Sequence, residues 1–168
     1  MFSSGFDPVT GPKAAVLILG TLPGQVSLQH QQYYAQPRNH FWRVMGELLG
    51  FDPQLPYAAR IQHLKDSGVA LWDVCAAAHR PGSLDTSIAA RSVVVNPFDA
   101  FFSAHSELKL VCFNGAKAAA LFKRHVLPTL TNDPHAYVTL PSTSPAHAAM
   151  SFDMKVAKWS VIRDTLDQ

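Results

Sequence analysis

The stretch Ala14-Ala15-Val16-Leu17-Ile18-Leu19 runs directly into Gly20-Thr21-Leu22-Pro23-Gly24, and the reading of that junction decides the fold. A short, unbroken apolar run suits a strand buried on both faces, as in a parallel sheet covered by helices. The turn that stops it has glycine at both ends.

Outward from this strand, the same alternation of types repeats. Residues 39–49 follow a helical period, with Phe41, Met45 and Leu48 on one stripe, Trp42 and Leu49 beside it, and Gly50 placed to end the helix. A second helix is predicted over 57–67, closed by Gly68. Residues 69–74 read as a strand followed by a long polar loop through His79-Arg80-Pro81-Gly82-Ser83. In Asn96-Pro97-Phe98-Asp99, Asn as cap and Pro in the first turn predict a helix start. A third strand over 109–113 leads to a helix over 115–126, and a fourth strand over 136–140 leads to the loop Pro141-Ser142-Thr143-Ser144-Pro145 and a final helix ending near Leu166. Strands alternating with crossover helices predict an α/β fold: a three-layer α/β/α sandwich around a central, mainly parallel four-stranded sheet. Ligands of such sheets bind outside the carboxyl ends of the strands. That rule selects residues 20–24, 73–83, 114–117 and 141–147.

The whole-chain quantities agree. With 168 residues the chain suits one domain over 1–168, and a globule of that size buries roughly 70% of its unfolded surface without disulfide or metal. The 48% apolar and 15% charged composition is ordinary for a soluble protein. No apolar stretch reaches the length of a membrane span, and Met-Phe-Ser-Ser-Gly-Phe-Asp does not read as a secretory leader, so a cytoplasmic monomer is expected. Cys75 and Cys112 lie in separate apolar segments and read as reduced, buried side chains. No disulfide, metal site or other cofactor is therefore expected. A net charge of +2 permits a nucleic-acid partner without demanding one.

Four segments carry candidate chemistry, each with a plainer alternative. The 20–24 turn can bring backbone N–H groups near a ligand, but it has neither the P-loop nor the three-glycine dinucleotide spacing. In Tyr33-Tyr34-Ala35-Gln36-Pro37-Arg38-Asn39-His40-Phe41-Trp42, the aromatics can stack on a base, Arg38 can hold a phosphate and Asn39 can orient water. Local rules alone favour Asn39 as a helix cap. Asp73 ends an apolar strand, where it either accepts a hydrogen bond from a base or pairs with Arg80. Ser144-Pro145 reads as a helix start whose N–H groups and hydroxyls can clamp a phosphate, with His147 on that helix.

Taken in order, Gly20-Thr21-Leu22-Pro23-Gly24, Tyr33-Tyr34-x-x-Pro37-Arg38-Asn39-x-Phe41-Trp42 and Pro141-Ser142-x-Ser144-Pro145 resemble the uracil-DNA glycosylase superfamily, and within it the hypoxanthine-DNA glycosylase branch. The resemblance spans the chain from about Ala14 to the final helix. It implies a monofunctional enzyme that needs no metal and hydrolyses the N-glycosidic bond of a deaminated base flipped out of DNA. Much of the superfamily has Asp or Asn at the third turn position to place water. Leu22 stands there, and the branch associates that role with the Asn at the helix entrance, Asn39. Leu140 stands where a His often precedes Pro-Ser, with His147 as its possible substitute. The resemblance then implies Asn39 as catalytic, Leu22, Tyr34 and Asp73 at the base, and Arg38, Arg80, Ser142, Thr143, Ser144 and His147 at DNA phosphates. The rival readings are a nucleotide or sugar-phosphate hydrolase with the same strand-end geometry, and a damaged-DNA-binding module that has lost catalysis. A Ser-His-Asp hydrolase is weaker, because no Gly-x-Ser-x-Gly elbow occurs.

Overall fold

A computed structural model describes residues 2–131, 133, 135–147 and 149–168. Its core is the expected parallel sheet, formed by β2 (Val16–Gly20), β3 (Val69–Asp73), β6 (Leu110–Asn114) and β7 (Ala136–Leu140) in the order β3-β2-β6-β7. The register sets Val16 beside Val69 on one side and Leu110 on the other. Every residue of β2, β3 and β6 is buried, as their continuous apolar sequences require.

Alternate residues of each strand serve opposite faces. Leu17, Leu19, Trp72, Val111 and Phe113 pack with α4 (Phe98–Ala104) and α5 (Ala116–His125) through Phe98, Phe101 and Phe122. Val16, Ile18, Leu71 and Cys112 pack with α2 (Phe41–Leu49), α3 (Tyr57–Ser67), α6 (Phe152–Trp159) and α7 (Val161–Leu166) through Phe41, Met45, Leu64, Trp159 and Ile162. Three layers result. The stripe of α2 is buried as its spacing predicts, and Gly50 closes the helix at φ 78°, a left-handed conformation that glycine adopts without a Cβ penalty. No helix of the described residues is long and apolar enough to cross a membrane.

Three expectations are corrected. The polar loop after β3 begins instead with β4 (Cys75–His79), which pairs antiparallel with β1 (Phe2–Ser4) and β5 (Val94–Val95) in a second small sheet. Cys-Ala-Ala-Ala-His has little strand propensity, so its partners decide its conformation. Asn96 does not cap α4, because its Nδ2 donates to the Asp73 carbonyl at 2.7 Å and its backbone N to the Val74 carbonyl at 3.0 Å. Among the described residues no helix starts at Ser144-Pro145. α6 starts at Phe152, where Ser151 Oγ accepts from Met154 N. A short helix, α1 (Gln25–His30), also follows the first turn, where the sequence reading placed none.

Candidate active site

Because β3 and β6 flank β2 on opposite sides, the crossovers after β2 and β3 diverge and leave a crevice at the carboxyl edge of the sheet. A cavity of about 540 Å³ opens there, with Gly20, Asp73 and Asn114, the last residues of three adjacent strands, in its lining. All ten sequence-predicted site residues line it as well. Lining a cavity does not give them equal roles, and the contacts separate them.

At the strand ends, Gly20 lies beneath two converging side chains. A Cβ on Gly20 would fall 2.6 Å from Asp73 Oδ1 and 2.9 Å from Tyr34 Oη. Asp73 is 5% exposed, and its Oδ2 has no hydrogen-bond partner. Burial foremost, and then the negative charge of Asp85, pushes its carboxyl up to about 7, against the opposing pull of Arg80. Tyr34 has a left-handed backbone, φ 54°, unusual for an aromatic residue. Its ring stacks on Phe41 with centroids 4.1 Å apart, so a base has only the opposite face to use.

Tyr34 is held by a residue the sequence reading missed. Asn114 Nδ2 donates to Tyr34 Oη at 3.1 Å and to Thr143 Oγ1 at 2.9 Å, while its Oδ1 accepts from Thr143 N at 3.0 Å. One amide thus ties β6, the loop after β7 and the aromatic wall together. The strand-end rule had selected residues 114–117, but it could not say that Asn114 turns inward. Asn39, half-buried, stands at the entrance to α2, and its Oδ1 accepts from Phe41 N at 2.9 Å. His40 is the N-cap residue and makes no side-chain cap bond, so Asn39, one residue earlier, satisfies the first helical N–H in its place, with a bond that uses Oδ1 and not Nδ2.

Two phosphate expectations do not survive the contacts. Arg80 is 2% exposed; its Nη2 donates to the carbonyls of Leu22 at 3.2 Å and Pro23 at 2.5 Å, and its Nη1 lies 3.5 Å from Asp85 Oδ1. It braces the first turn from inside and faces no phosphate. The same bonds occupy the Leu22 carbonyl, leaving Leu22 to the cavity mainly as an apolar side chain. Arg80→Met should therefore cost about 1–3 kcal/mol in thermal unfolding, because buried carbonyls lose their donor. It should leave the salt dependence of binding to the expected DNA ligand intact, whereas loss of a phosphate contact lowers that slope by about one. Thr143 is fully buried and committed to Asn114, and its carbonyl accepts from His40 N at 3.0 Å.

The rim differs. Arg38 and His147 are exposed, and Ser142 and Ser144 are partly so. Ser142 Oγ accepts from Ser144 N at 3.1 Å and Ser144 Oγ from Ala146 N at 3.2 Å. The loop therefore turns on its own hydroxyls, and those two backbone N–H groups are not free for a phosphate. Among the described residues, no cluster of three or more His, Cys, Asp or Glu is placed to hold a metal ion.

Residues 8–165 match the family model described as the uracil DNA glycosylase superfamily. The chain belongs to this superfamily. It is 34% identical over 163 residues to a hypoxanthine DNA glycosylase of Methanosarcina acetivorans, covering 96% of this chain and 98% of that relative. A Methanosarcina barkeri protein of the same description is 42% identical over 119 residues, covering 70% and 74% respectively. The solution NMR structure of a Methanosarcina acetivorans protein described as a candidate uracil DNA glycosylase superimposes over all of both chains with a TM-score of 0.83 at 31% identity. The superfamily and branch expected from the three motifs are thereby matched, as is the α/β/α fold.

Proposed function

We propose that this chain is a monofunctional DNA glycosylase that hydrolyses the N-glycosidic bond of a deaminated base, hypoxanthine above all, and leaves an abasic site. The observation that carries the reading is the strand-end cavity, which has Asn39, Tyr34 and Asp73 in its lining and room for a flipped nucleotide, in a chain similar along its whole length to a hypoxanthine DNA glycosylase. Flipping a nucleotide from the duplex costs a few kcal/mol, least for a mispaired base. Arg38, the Ser142 and Ser144 hydroxyls and His147 at the rim contact the flanking phosphates. Tyr34 covers one face of the base, and Asp73 reads its edge. As the bond breaks, the sugar gains oxocarbenium character. Asn39 then holds a water on the open face; an amide is no useful base, so its part is positioning and electrostatics. No lysine is among the described residues lining the cavity, which favours hydrolysis over a Schiff-base lyase step.

The test is a set of duplexes each carrying one hypoxanthine, uracil or xanthine, incubated with protein and then cleaved by alkali at abasic sites. Cleavage at hypoxanthine is expected. Binding to mismatched or abasic DNA without base release would identify a non-catalytic module instead, and hydrolysis of free nucleotides without any DNA would identify the hydrolase.

A further inference from the structure

Asp73 has an unusual combination of a rigid mounting and an unmet functional group. Its backbone is fixed in register against Gly20, its carbonyl accepts from Asn96 Nδ2, and the next residue, Val74, donates to the Gly20 carbonyl at 2.8 Å. Asp73 therefore lines the cavity from a strand end whose backbone cannot easily yield. Yet Oδ2 is buried without a partner. A full negative charge in that position is costly unless something neutralises it. The nearest guanidinium, Arg80, is turned onto Asp85 and the carbonyls of the first turn.

The groups that face Asp73 come from three places. Tyr33 and Tyr34 precede α2, Cys75 begins β4, and Arg80 and Asp85 lie beyond it. Burial raises the two phenols and the Cys75 thiol, so all three stay neutral near pH 7 and supply no charge. Asp85 adds a repelling anion, and Arg80 offsets it only in part, so that the balance falls at about 7. These surroundings tolerate a neutral acid better than a carboxylate.

We propose that Asp73 reads the flipped base as a neutral carboxylic acid, its C=O accepting the lactam N–H of the base and its O–H donating to the adjacent lactam oxygen. The proposal rests on the glycosylase reading above. Hypoxanthine, xanthine and uracil all present an N–H beside a C=O, and a carboxylic acid matches that edge with two parallel bonds. A carboxylate would accept the N–H with one oxygen and turn the other, equally negative, against the lactam oxygen. The O–H donor also faces the atom onto which charge moves as the base departs, so the bond strengthens towards the transition state without a proton changing hands. An acid can pair equally with the amino edge of adenine by exchanging the roles of its oxygens. Selection against adenine therefore falls to base pairing, which resists the flip of a matched base.

Single-turnover release of hypoxanthine across a pH series, in wild type, Asp73→Asn and Asp73→Leu, tests this. The neutral fraction is full well below pH 7 and is lost as pH rises through about 7. Wild-type activity should therefore be level on the acid side and fall by about tenfold per pH unit on the alkaline side. Asn carries the same acceptor and donor without titrating, so Asp73→Asn should restore most of the release that Asp73→Leu loses, and the limb near pH 7 should disappear. Infrared difference spectra between wild type and Asp73→Asn should show a protonated carboxyl at pH 6 that fades above 7. An Asp73→Asn protein as inactive as Asp73→Leu, a wild-type rate that rises through pH 7, or an ionised carboxylate at pH 6 would each overturn the pairing while leaving the glycosylase reading standing. If wild type releases no deaminated base at all, the glycosylase reading fails first and takes the pairing with it.

Discussion

Asn39→Ala is expected to slow base release from inosine-containing DNA by about 10²–10³-fold while costing only about 1 kcal/mol of stability. The two numbers come from two ends of one amide. Oδ1 accepts from Phe41 N at the start of α2, and loss of that bond is an ordinary capping penalty. In the proposed reaction the rest of the amide orients the water, and removing a positioned donor from a desolvated site carries the larger loss. Asn39→Ser separates these roles. Its hydroxyl still caps the helix but is too short to reach as the amide does, so stability should return to near wild type while the rate stays low. Thermal melts and single-turnover rates on the same samples measure both. A wild-type rate in Asn39→Ala would reduce Asn39 to a cap and move catalysis elsewhere in the cavity.

This division mirrors what the sequence makes legible. The runs at 14–19 and 136–140 and the helix over 57–67 with its glycine stop are local signals, and each lies within two residues of its place in the structure. The strand-end rule likewise puts the cavity on the right edge of the sheet, because it depends only on strand direction. The failures that bear on the site need a partner distant in the chain. Arg80 looks like a surface cation until the carbonyls of Leu22 and Pro23, more than fifty residues earlier, draw it inside. Asn114 looks like the end of a strand until Thr143 and Tyr34 close around it. β4 is a strand because β1 and β5 lie beside it, not because of its alanines. Residue type and spacing thus predict where the site lies, while long-range hydrogen bonds decide which polar residues face the substrate and which hold the scaffold.

The position where scaffold and chemistry meet most closely is Gly20, and Gly20→Ala should reduce base release by about 10²-fold, the scale of an ångström's misplacement of reacting groups. The constraint is one of space alone. The added methyl would lie 2.6 Å from Asp73 Oδ1 and 2.9 Å from Tyr34 Oη, both closer than such atoms can approach. Neither neighbour can retreat freely. Tyr34 is pinned between Phe41 and Asn114, and Asp73 stands on a strand whose register with β2 is fixed. Relieving the clash must therefore shift the groups proposed to hold the base, with a loss of about 1–3 kcal/mol for overpacking. Gly11→Ala is the control, since a Cβ there meets Lys65 at an ordinary 3.5 Å. It should leave rate and melting temperature unchanged. Binding to abasic-site DNA should also persist in Gly20→Ala, because Arg38 and the Ser142 and Ser144 hydroxyls, the groups proposed to contact the flanking phosphates, lie at the rim outside the crowded point. A Gly20→Ala protein that releases base at the wild-type rate would show that the cavity does not need Asp73 and Tyr34 where they stand, and would remove both from the base-binding site.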